Sequence, residues 1–187
     1  MVAVNVMRPA GAGDERAREK ARRVRWLVLD VDGVLTDGRI ILDGGDGEWK
    51  AFHVRDGQRL VLAARAGIRT VFLTGRSSRV VERRAAELGV HRVFQGAQDK
   101  GAIMELFFRE EGALPEETAY LGDDIVDLPA LRRAGLAAAV GDAVPEVRAV
   151  ADWVAVANGG QGAVRELVEF ILAAQGRWEA ALASFGG

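Results

Sequence analysis

Two aspartates, Asp30 and Asp32, are the residues whose type and spacing point most directly to chemistry. They follow the apolar run at residues 26–29, which predicts a strand buried on both faces. Gly33 comes next and lets the chain turn sharply. Aspartates at such a place can be simple turn formers. However, Asp30 continues the apolar run, where an unpaired charge is costly. Its position therefore favours a carboxylate that serves a cation, a proton or a reaction.

Further polar residues occupy comparable positions along the chain. They are Thr74, Gly75 and Arg76 after a second apolar run, Lys100 at the start of a predicted helix, and Asp123, Asp124 and Asp127 after another run. Each has an ordinary explanation by itself: a surface lysine, a turn threonine or a helix-capping aspartate. Lys100 also opposes the dipole of the helix that it opens, and such local conflicts tend to mark functional positions. Because parallel strands end at one sheet edge, we expect these groups to converge.

Together these residue types predict a phosphoryl-transfer site. A carboxylate can attack phosphorus and form an aspartyl phosphate. Magnesium suits oxygen ligands and neutralises phosphate charge. A lysine and a hydroxyl can bind the remaining phosphate oxygens. A second aspartate, two residues from the nucleophile, can protonate the leaving oxygen and then activate water.

The elements that must position these groups alternate between strand and helix. This pattern predicts an α/β protein with a parallel, Rossmann-like sheet and helices on both faces. Residues 38–53 predict a β-hairpin around a glycine- and aspartate-rich loop, followed by a helix with Asp56 as its N-cap. We expect one domain over residues 26–176, an N-terminal arm over 1–25 that is helical or frayed, and a loosely ordered tail over 177–187.

Composition limits the possible partners. The formal net charge of −2 gives no indication of binding to nucleic acid or to an anionic membrane. The chain has no cysteine, which excludes disulfides and thiolate metal sites. No apolar run approaches the ~20 residues that a membrane span needs. The N-terminal stretch mixes charges and lacks the apolar core of a signal peptide, so a cytoplasmic chain is expected.

The ordered motifs resemble those of the haloacid dehalogenase superfamily. The motifs are Asp-Val-Asp-Gly-Val at 30–34, Leu-Thr-Gly-Arg at 73–76, Lys100, and Gly-Asp-Asp-Ile-Val-Asp at 122–127. The resemblance implies that Asp30 is the nucleophile, Asp32 the acid/base, and Thr74 and Lys100 the phosphate binders. It also implies magnesium bound by Asp30, the Asp32 backbone carbonyl and Asp123, with Asp124 and Asp127 in support. Superfamily ATPases replace the acid/base aspartate by threonine, so Asp32 indicates a phosphatase or a phosphomutase.

Spacing leaves no room for the cap domain that many superfamily members carry. Between Asp32 and Thr74 there is space only for the hairpin and one helix, and between Thr74 and Lys100 only for one helix and one strand. A lone subunit would therefore leave its site open to water. A phosphomutase must protect its phosphoenzyme from water, so the spacing favours a phosphatase.

Over roughly residues 26 to 180 the chain resembles the capless 3-deoxy-D-manno-octulosonate 8-phosphate (KDO 8-phosphate) phosphatases. The similar stretches include Lys50-Ala51-Phe52, Val54-Arg55-Asp56-Gly57 and Gly159-Gly160-Gln161-Gly162. The family implies that Thr74, Gly75, Arg76, Lys100, Arg55 and Gly57 contact a sugar phosphate. It also implies a homotetrameric ring in which hairpins and C-terminal segments of neighbours cover each site. By itself, the stretch at 159–162 is either a flexible turn or a close backbone approach at a helix N-terminus.

Two positions depart from that family. It usually has a glycine two residues after Gly57 and a basic residue two further on, where this chain has Arg59 and Val61. Arg76 resembles the enzymes for the eight-carbon sugar, and relatives for nine-carbon sugars can differ there. The alternatives are a phosphatase for a nine-carbon keto-sugar phosphate (KDN 9-phosphate or N-acylneuraminate 9-phosphate) or for a broad set of small phosphates, and a non-catalytic ring-forming subunit. The intact set of Asp30, Asp32, Thr74, Lys100 and Asp123 argues against the last.

Overall fold

The computed structural model describes residues 15–42, 44–45 and 47–183. Its strands are β1 (Trp26–Leu29), β2 (Ile41–Leu42), β3 (Glu48–Trp49), β4 (Arg69–Leu73), β5 (Arg92–Phe94), β6 (Thr118–Gly122), β7 (Leu136–Ala139) and β8 (Trp153–Val154). Its α-helices are α1 (Glu15–Arg23), α2 (Val54–Arg65), α3 (Arg79–Leu88), α4 (Lys100–Glu111), α5 (Leu128–Leu131), α6 (Pro145–Val150), α7 (Ala163–Ala174) and α8 (Trp178–Ala183). Short 3₁₀ helices cover Pro115–Glu117 and Ile125–Asp127.

Six strands form one parallel sheet in the order β5-β4-β1-β6-β7-β8. Right-handed crossovers place α2 and α3 on one face and α4, α5 and α6 on the other. Helices α1 and α7 join the first layer, where α7 packs against both α1 and α2. This confirms the predicted α/β fold with its Rossmann-like sheet.

Strand β1 lies at the centre of the sheet, and all four of its residues are buried. It pairs with β4 on one side and β6 on the other, so that Leu29 aligns with Phe72 and Leu121. The order of the sheet reverses here, because the chain moves from β1 to one edge and later returns to the other side. The carboxyl ends of β1, β4 and β6 therefore surround the crevice where open α/β sheets bind ligands.

The predicted hairpin forms as a separate two-stranded antiparallel sheet of β2 and β3, between β1 and α2. Residues 43 and 46 of its loop lie outside the described part of the chain. In the described residues no cap domain interrupts the sheet, in agreement with the spacing of the motifs.

Asp56 does not have the role that the sequence predicted. Helix α2 begins at Val54, and His53 occupies the N-cap position. The Asp56 side chain lies in the first turn, 1% exposed, and accepts hydrogen bonds from the backbone N–H groups of Gly162 (3.2 Å) and Arg165 (2.8 Å). The prediction that Asp56 caps its own helix is wrong, because the carboxylate caps the N-terminus of α7 instead.

The ends of the described chain pack against the domain. Ala17 and Ala21 of α1 are buried, and the Gln175 side-chain amide donates to the carbonyl oxygens of Ala21 (3.1 Å) and Val24 (2.8 Å). Loose order from residue 177 onward was expected, but residues 178–183 form α8. Residues 1–14 and 184–187 lie outside the described part, and the division into arm, domain and tail stays a prediction. No helix among the described residues is long and apolar enough to cross a membrane.

Candidate active site

A cleft of about 390 Å³ lies at the carboxyl ends of β1, β4 and β6. Eight residues predicted from the sequence line it: Asp30, Asp32, Thr74, Gly75, Arg76, Lys100, Asp123 and Asp124. They come from four separate stretches of the chain, and the sheet order brings them together. The predicted convergence at this sheet edge is confirmed.

Lys100 joins Asp30 to the acidic residues after β6. Its ammonium lies 2.8 Å from Asp30 Oδ1 and 2.6 Å from Asp127 Oδ1, and the residue is 3% exposed. Burial lowers the pKa of Lys100, but the charges of Asp30 and Asp127 outweigh it and raise that pKa above its ordinary value. Asp99 caps α4 by accepting from the Ala102 N–H at 3.0 Å, so an anion offsets the unfavourable dipole at Lys100.

Asp127 is the most connected carboxylate of the site. It is fully buried, and its Oδ1 accepts from both the Lys100 ammonium and the Tyr120 hydroxyl, each at 2.6 Å. Its Oδ2 accepts from the backbone N–H groups of Asp123 (2.9 Å) and Asp124 (3.3 Å). Asp127 thus shapes the turn that carries the other two aspartates. Burial, followed by the charge of Asp127, raises the pKa of the Tyr120 hydroxyl well above its ordinary value.

Sequence reasoning missed Tyr120, since a tyrosine within an apolar strand is indistinguishable from a core residue. We expect Tyr120→Phe to lower the free energy of unfolding by about 1–3 kcal/mol, because the buried Asp127 carboxylate loses a hydrogen bond. Urea unfolding of the metal-free protein measures this loss. Phe72→Leu, which alters the same core without a polar group, serves as the packing control. An unchanged midpoint for Tyr120→Phe would show that the hydroxyl contributes nothing.

Three carboxylates form an acidic cluster that suits a divalent cation. One oxygen from each of Asp30, Asp123 and Asp127 lies within 4.8 Å of the others. Asp123 Oδ1 is buried and has no hydrogen-bond partner among the described residues, so this oxygen is available to bind a cation. Hard oxygen donors in this arrangement fit magnesium. A Cβ on Gly33 (φ +93°) would overlap the Asp123 carboxylate, so glycine allows the first loop to approach it.

Burial and the charges within the cluster raise the pKa values of two of its carboxyls, Asp30 and Asp123. Burial, reinforced by the charge of Asp127, raises the pKa of Asp30 to about 6 although Lys100 opposes the shift. Burial and the charges of Asp30 and Asp127 raise the pKa of Asp123 to about 8. A cation at the cluster would remove this repulsion, and it must displace protons in order to bind.

Magnesium affinity is therefore expected to rise with pH. Between pH 6 and pH 8 the metal-free carboxyls of Asp30 and Asp123, with pKa values of about 6 and about 8, progressively lose protons, so protons compete less with the cation. We expect the dissociation constant to fall by up to about tenfold per pH unit for each proton displaced. Calorimetry at pH 7 in buffers of different ionisation enthalpy measures the released proton.

The same proton binding makes the stability of the metal-free protein depend on pH, in a direction that melting experiments can check. Because both folded-state pKa values lie above those of the unfolded chain, the metal-free protein loses stability as pH rises from about 4 towards 8. The increase in melting temperature on adding magnesium should consequently be larger at pH 8 than at pH 6. An increase that is equal at both values would contradict proton displacement.

The loop after β4 contributes Thr74 and Arg76. Thr74 is 2% exposed, and its hydroxyl oxygen accepts from the Arg76 N–H at 3.3 Å. The Arg76 guanidinium is partly exposed, donates to Glu48 Oε1 of the hairpin (2.8 Å), and lies 3.8 Å from Asp32 Oδ2. Both side chains therefore border the cleft from the side of β4.

Three other predicted residues lie differently. Arg55 is exposed on α2, and Gly57 is buried under Arg84 of α3, so neither lines the cleft. Asp124 borders the cleft, but its side chain is exposed and caps the 3₁₀ helix by accepting from the Ile125 N–H at 2.7 Å. Asp124 is outside the acidic cluster, and its support of the metal stays a prediction.

The glycine-rich stretch before α7 makes a close backbone approach to the first loop. A Cβ on Gly159 would overlap the carbonyl oxygen of Gly33, and the Gly160 N–H donates to the Val34 carbonyl oxygen at 2.9 Å. Gly159 is itself held by Asp142, whose carboxylate accepts from its N–H at 2.9 Å. Of the two interpretations of this stretch, close approach is the one that the geometry supports.

The parallel sheet, without a cap domain among the described residues, together with the polar cleft at its carboxyl edge, is typical of a capless phosphohydrolase. The family model for haloacid dehalogenase-like hydrolases matches residues 47–135. KDO 8-phosphate phosphatase KdsC of Escherichia coli K12 is 41% identical over 162 residues, which cover 87% of this chain and 86% of the relative.

Solved structures of similar proteins indicate the same family as this relative. KDO 8-phosphate phosphatase of Moraxella catarrhalis, in complex with magnesium, phosphate and KDO, superposes with a TM-score of 0.89 at 40% identity, over 91% of this chain and 98% of that one. A probable YrbI family phosphatase of Pseudomonas syringae gives a TM-score of 0.90 at 40% identity, over 93% of this chain and 99% of that one. This chain belongs to the KDO 8-phosphate phosphatase family.

Proposed function

We propose that this protein is a magnesium-dependent phosphatase that hydrolyses KDO 8-phosphate to KDO and inorganic phosphate. The observation that carries the proposal is the buried Asp30–Lys100 pair, 2.8 Å apart, in a cleft that Asp32 also lines. That arrangement supports Asp30 as the nucleophile, Lys100 as the cation for phosphate and Asp32 as the acid/base. The relatives at about 40% identity are KDO 8-phosphate phosphatases, which supports this choice of substrate.

The reaction proceeds in two displacements. A carboxylate oxygen of Asp30 attacks phosphorus, the bond from phosphorus to the sugar oxygen breaks, and Asp32 gives a proton to that oxygen. Asp32 then takes a proton from water, which attacks phosphorus and releases phosphate with the Asp30 carboxylate restored. Lys100 and the Thr74 hydroxyl hold phosphate oxygens throughout. Magnesium, when bound by Asp30, the Asp32 carbonyl and Asp123, neutralises the charge of the phosphate.

Phosphate release with magnesium, compared between KDO 8-phosphate and KDN 9-phosphate, tests the proposal. We expect kcat/KM for the eight-carbon substrate to exceed that for the nine-carbon substrate by at least about tenfold. The reverse order would establish the nine-carbon alternative. No release from either substrate would support the non-catalytic binding subunit instead.

We also propose that four copies form a ring in which neighbours cover each cleft. The hairpin supports this, because Ile41, Leu42 and Trp49 expose half or more of their surfaces and Val126 at the rim of the cleft is 58% exposed. In this ring Arg55, which is exposed on α2, contacts the substrate of a neighbouring subunit. Light scattering should give a tetramer for the wild type and smaller species for Trp49→Glu. The cytoplasmic location expected from the sequence stays a prediction.

A further inference from the structure

Lys50 carries a buried charge that the reaction as described does not use. Its side chain is only 1% exposed, although it stands just after β3 in a hairpin whose apolar side chains are largely exposed. Its ammonium pairs with Asp32 Oδ1 and lies 3.3 Å from Glu48 Oε1. Burying an ammonium is expensive unless it is paired, so these two carboxylates account for its position.

Lys50 lies behind the acid/base residue as seen from the cleft. Asp32 lines the cleft and Lys50 does not, so a bound substrate would meet the carboxyl and not the ammonium. The other carboxylate oxygen of Asp32 lies 3.8 Å from Arg76 Nε, a separation too long for a hydrogen bond. Lys50 therefore provides the close contact that fixes how the Asp32 carboxyl is turned.

Glu48 joins this contact to the other side of the cleft. One of its oxygens, Oε1, lies near both the Lys50 ammonium (3.3 Å) and the Arg76 guanidinium (2.8 Å). The hairpin thus supplies a cation and an anion that alternate with Asp32 and Arg76 in one chain of charges. A shift of the hairpin would move Lys50 and turn Asp32 with it.

We propose that Lys50 is a positioning residue for proton transfer: its ammonium holds the Asp32 carboxyl in the orientation that donates to the leaving oxygen. This inference rests on the proposed phosphatase function and deepens it. The hairpin then has a part in the chemistry as well as in covering the site, because it sets the geometry of the acid.

The leaving group distinguishes positioning of the acid from a general structural role. The sugar oxygen of KDO 8-phosphate must be protonated as it leaves, whereas p-nitrophenolate leaves as a stable anion. We expect Lys50→Met to lower kcat/KM about 30-fold for KDO 8-phosphate and at most about threefold for p-nitrophenyl phosphate, because kcat/KM reports the first displacement, in which only the sugar oxygen needs a proton from Asp32. KM should change little, since Lys50 does not line the cleft.

A double-mutant cycle shows whether Lys50 acts through Asp32. In an Asp32→Asn background, Lys50→Met should cause no further loss on KDO 8-phosphate. Lys50→Arg keeps the charge and should recover part of the rate. Lys20→Met removes a lysine of α1 that pairs with Asp152 away from the cleft, and it should leave both rates unchanged. Melting temperatures with magnesium identify any variant that fails to fold.

Equal losses of kcat/KM on both substrates, or an additive loss in the Asp32→Asn background, would overturn the role of Lys50. Turnover of KDO 8-phosphate by the wild type tests the proposed function separately. If only KDN 9-phosphate is turned over, the same ratio is measured with it, because its leaving group is also a sugar oxygen. A wild type that is inactive on both overturns the function and the inference together.

Discussion

Asparagine in place of Asp30 is expected to reduce phosphate release from KDO 8-phosphate by at least about 10⁴-fold. The amide cannot form the covalent bond to phosphorus, so the aspartyl phosphate through which the proposed reaction passes is not made. The substitution keeps the size of the side chain and its contact with Lys100. Colorimetric measurement of phosphate under saturating magnesium checks the rate.

Stability shows whether the Asp30→Asn protein is intact. Removing the Asp30 charge relieves its repulsion of Asp123, so the metal-free variant should melt at the wild-type temperature or above it. Glu105→Gln, an exposed carboxylate on α4 that pairs with Arg133, is the matched control and should retain full activity. Release that survives Asp30→Asn would show that the nucleophile lies elsewhere.

Lys100→Met is expected to damage both stability and activity. It removes the cation that lies between Asp30 and Asp127 and leaves two buried carboxylates facing each other. Breaking a buried ion pair from one side costs about 3 kcal/mol or more of unfolding free energy. Loss of a phosphate-binding cation should lower kcat/KM about 10³-fold. Urea unfolding without magnesium and phosphate release with magnesium measure the two effects.

A second substitution separates these effects. Adding Asp127→Asn to Lys100→Met removes one of the unpaired charges, so we expect at least about 1 kcal/mol of the stability to return. Activity should not return, because the phosphate oxygens still lack their cation. Recovery of activity together with stability would mean that Lys100 acts only by keeping the site folded. The exchange of Lys20 for methionine should affect neither measurement strongly, since its pair is partly exposed.

The core of the site could be predicted because each functional residue follows a recognisable strand or begins a recognisable helix. The apolar runs locate β1, β4 and β6, and parallel pairing brings their ends together whatever the details of the helices. Asp30, Thr74 and Asp123 are therefore accessible to sequence reasoning. Their roles in catalysis and binding stay predictions that the experiments above address.

The residues that were missed depend on contacts between distant parts of the chain. Lys50 appears as an ordinary hairpin lysine until the hairpin folds back and buries its ammonium against Asp32. Asp56 has the position and type of a helix cap, but α7, about 106 residues later, uses its carboxylate. Tyr120 looks like any core aromatic, and its hydroxyl gains importance only from Asp127 below the turn. Local pattern carries no information about such partners.

The central position of β1 in the sheet has a consequence for how the protein folds during its synthesis on the ribosome. Strand β1, which Asp30 follows, is made early, yet both of its neighbours, β4 and β6, are made later. At about 5–20 residues per second, an apolar strand with a free edge waits several seconds for β6 to emerge. During that interval the nascent chain exposes an unpaired strand edge, which can pair with other chains and aggregate. We therefore expect its yield in cells to depend on chaperone supply and on translation speed before residue 118.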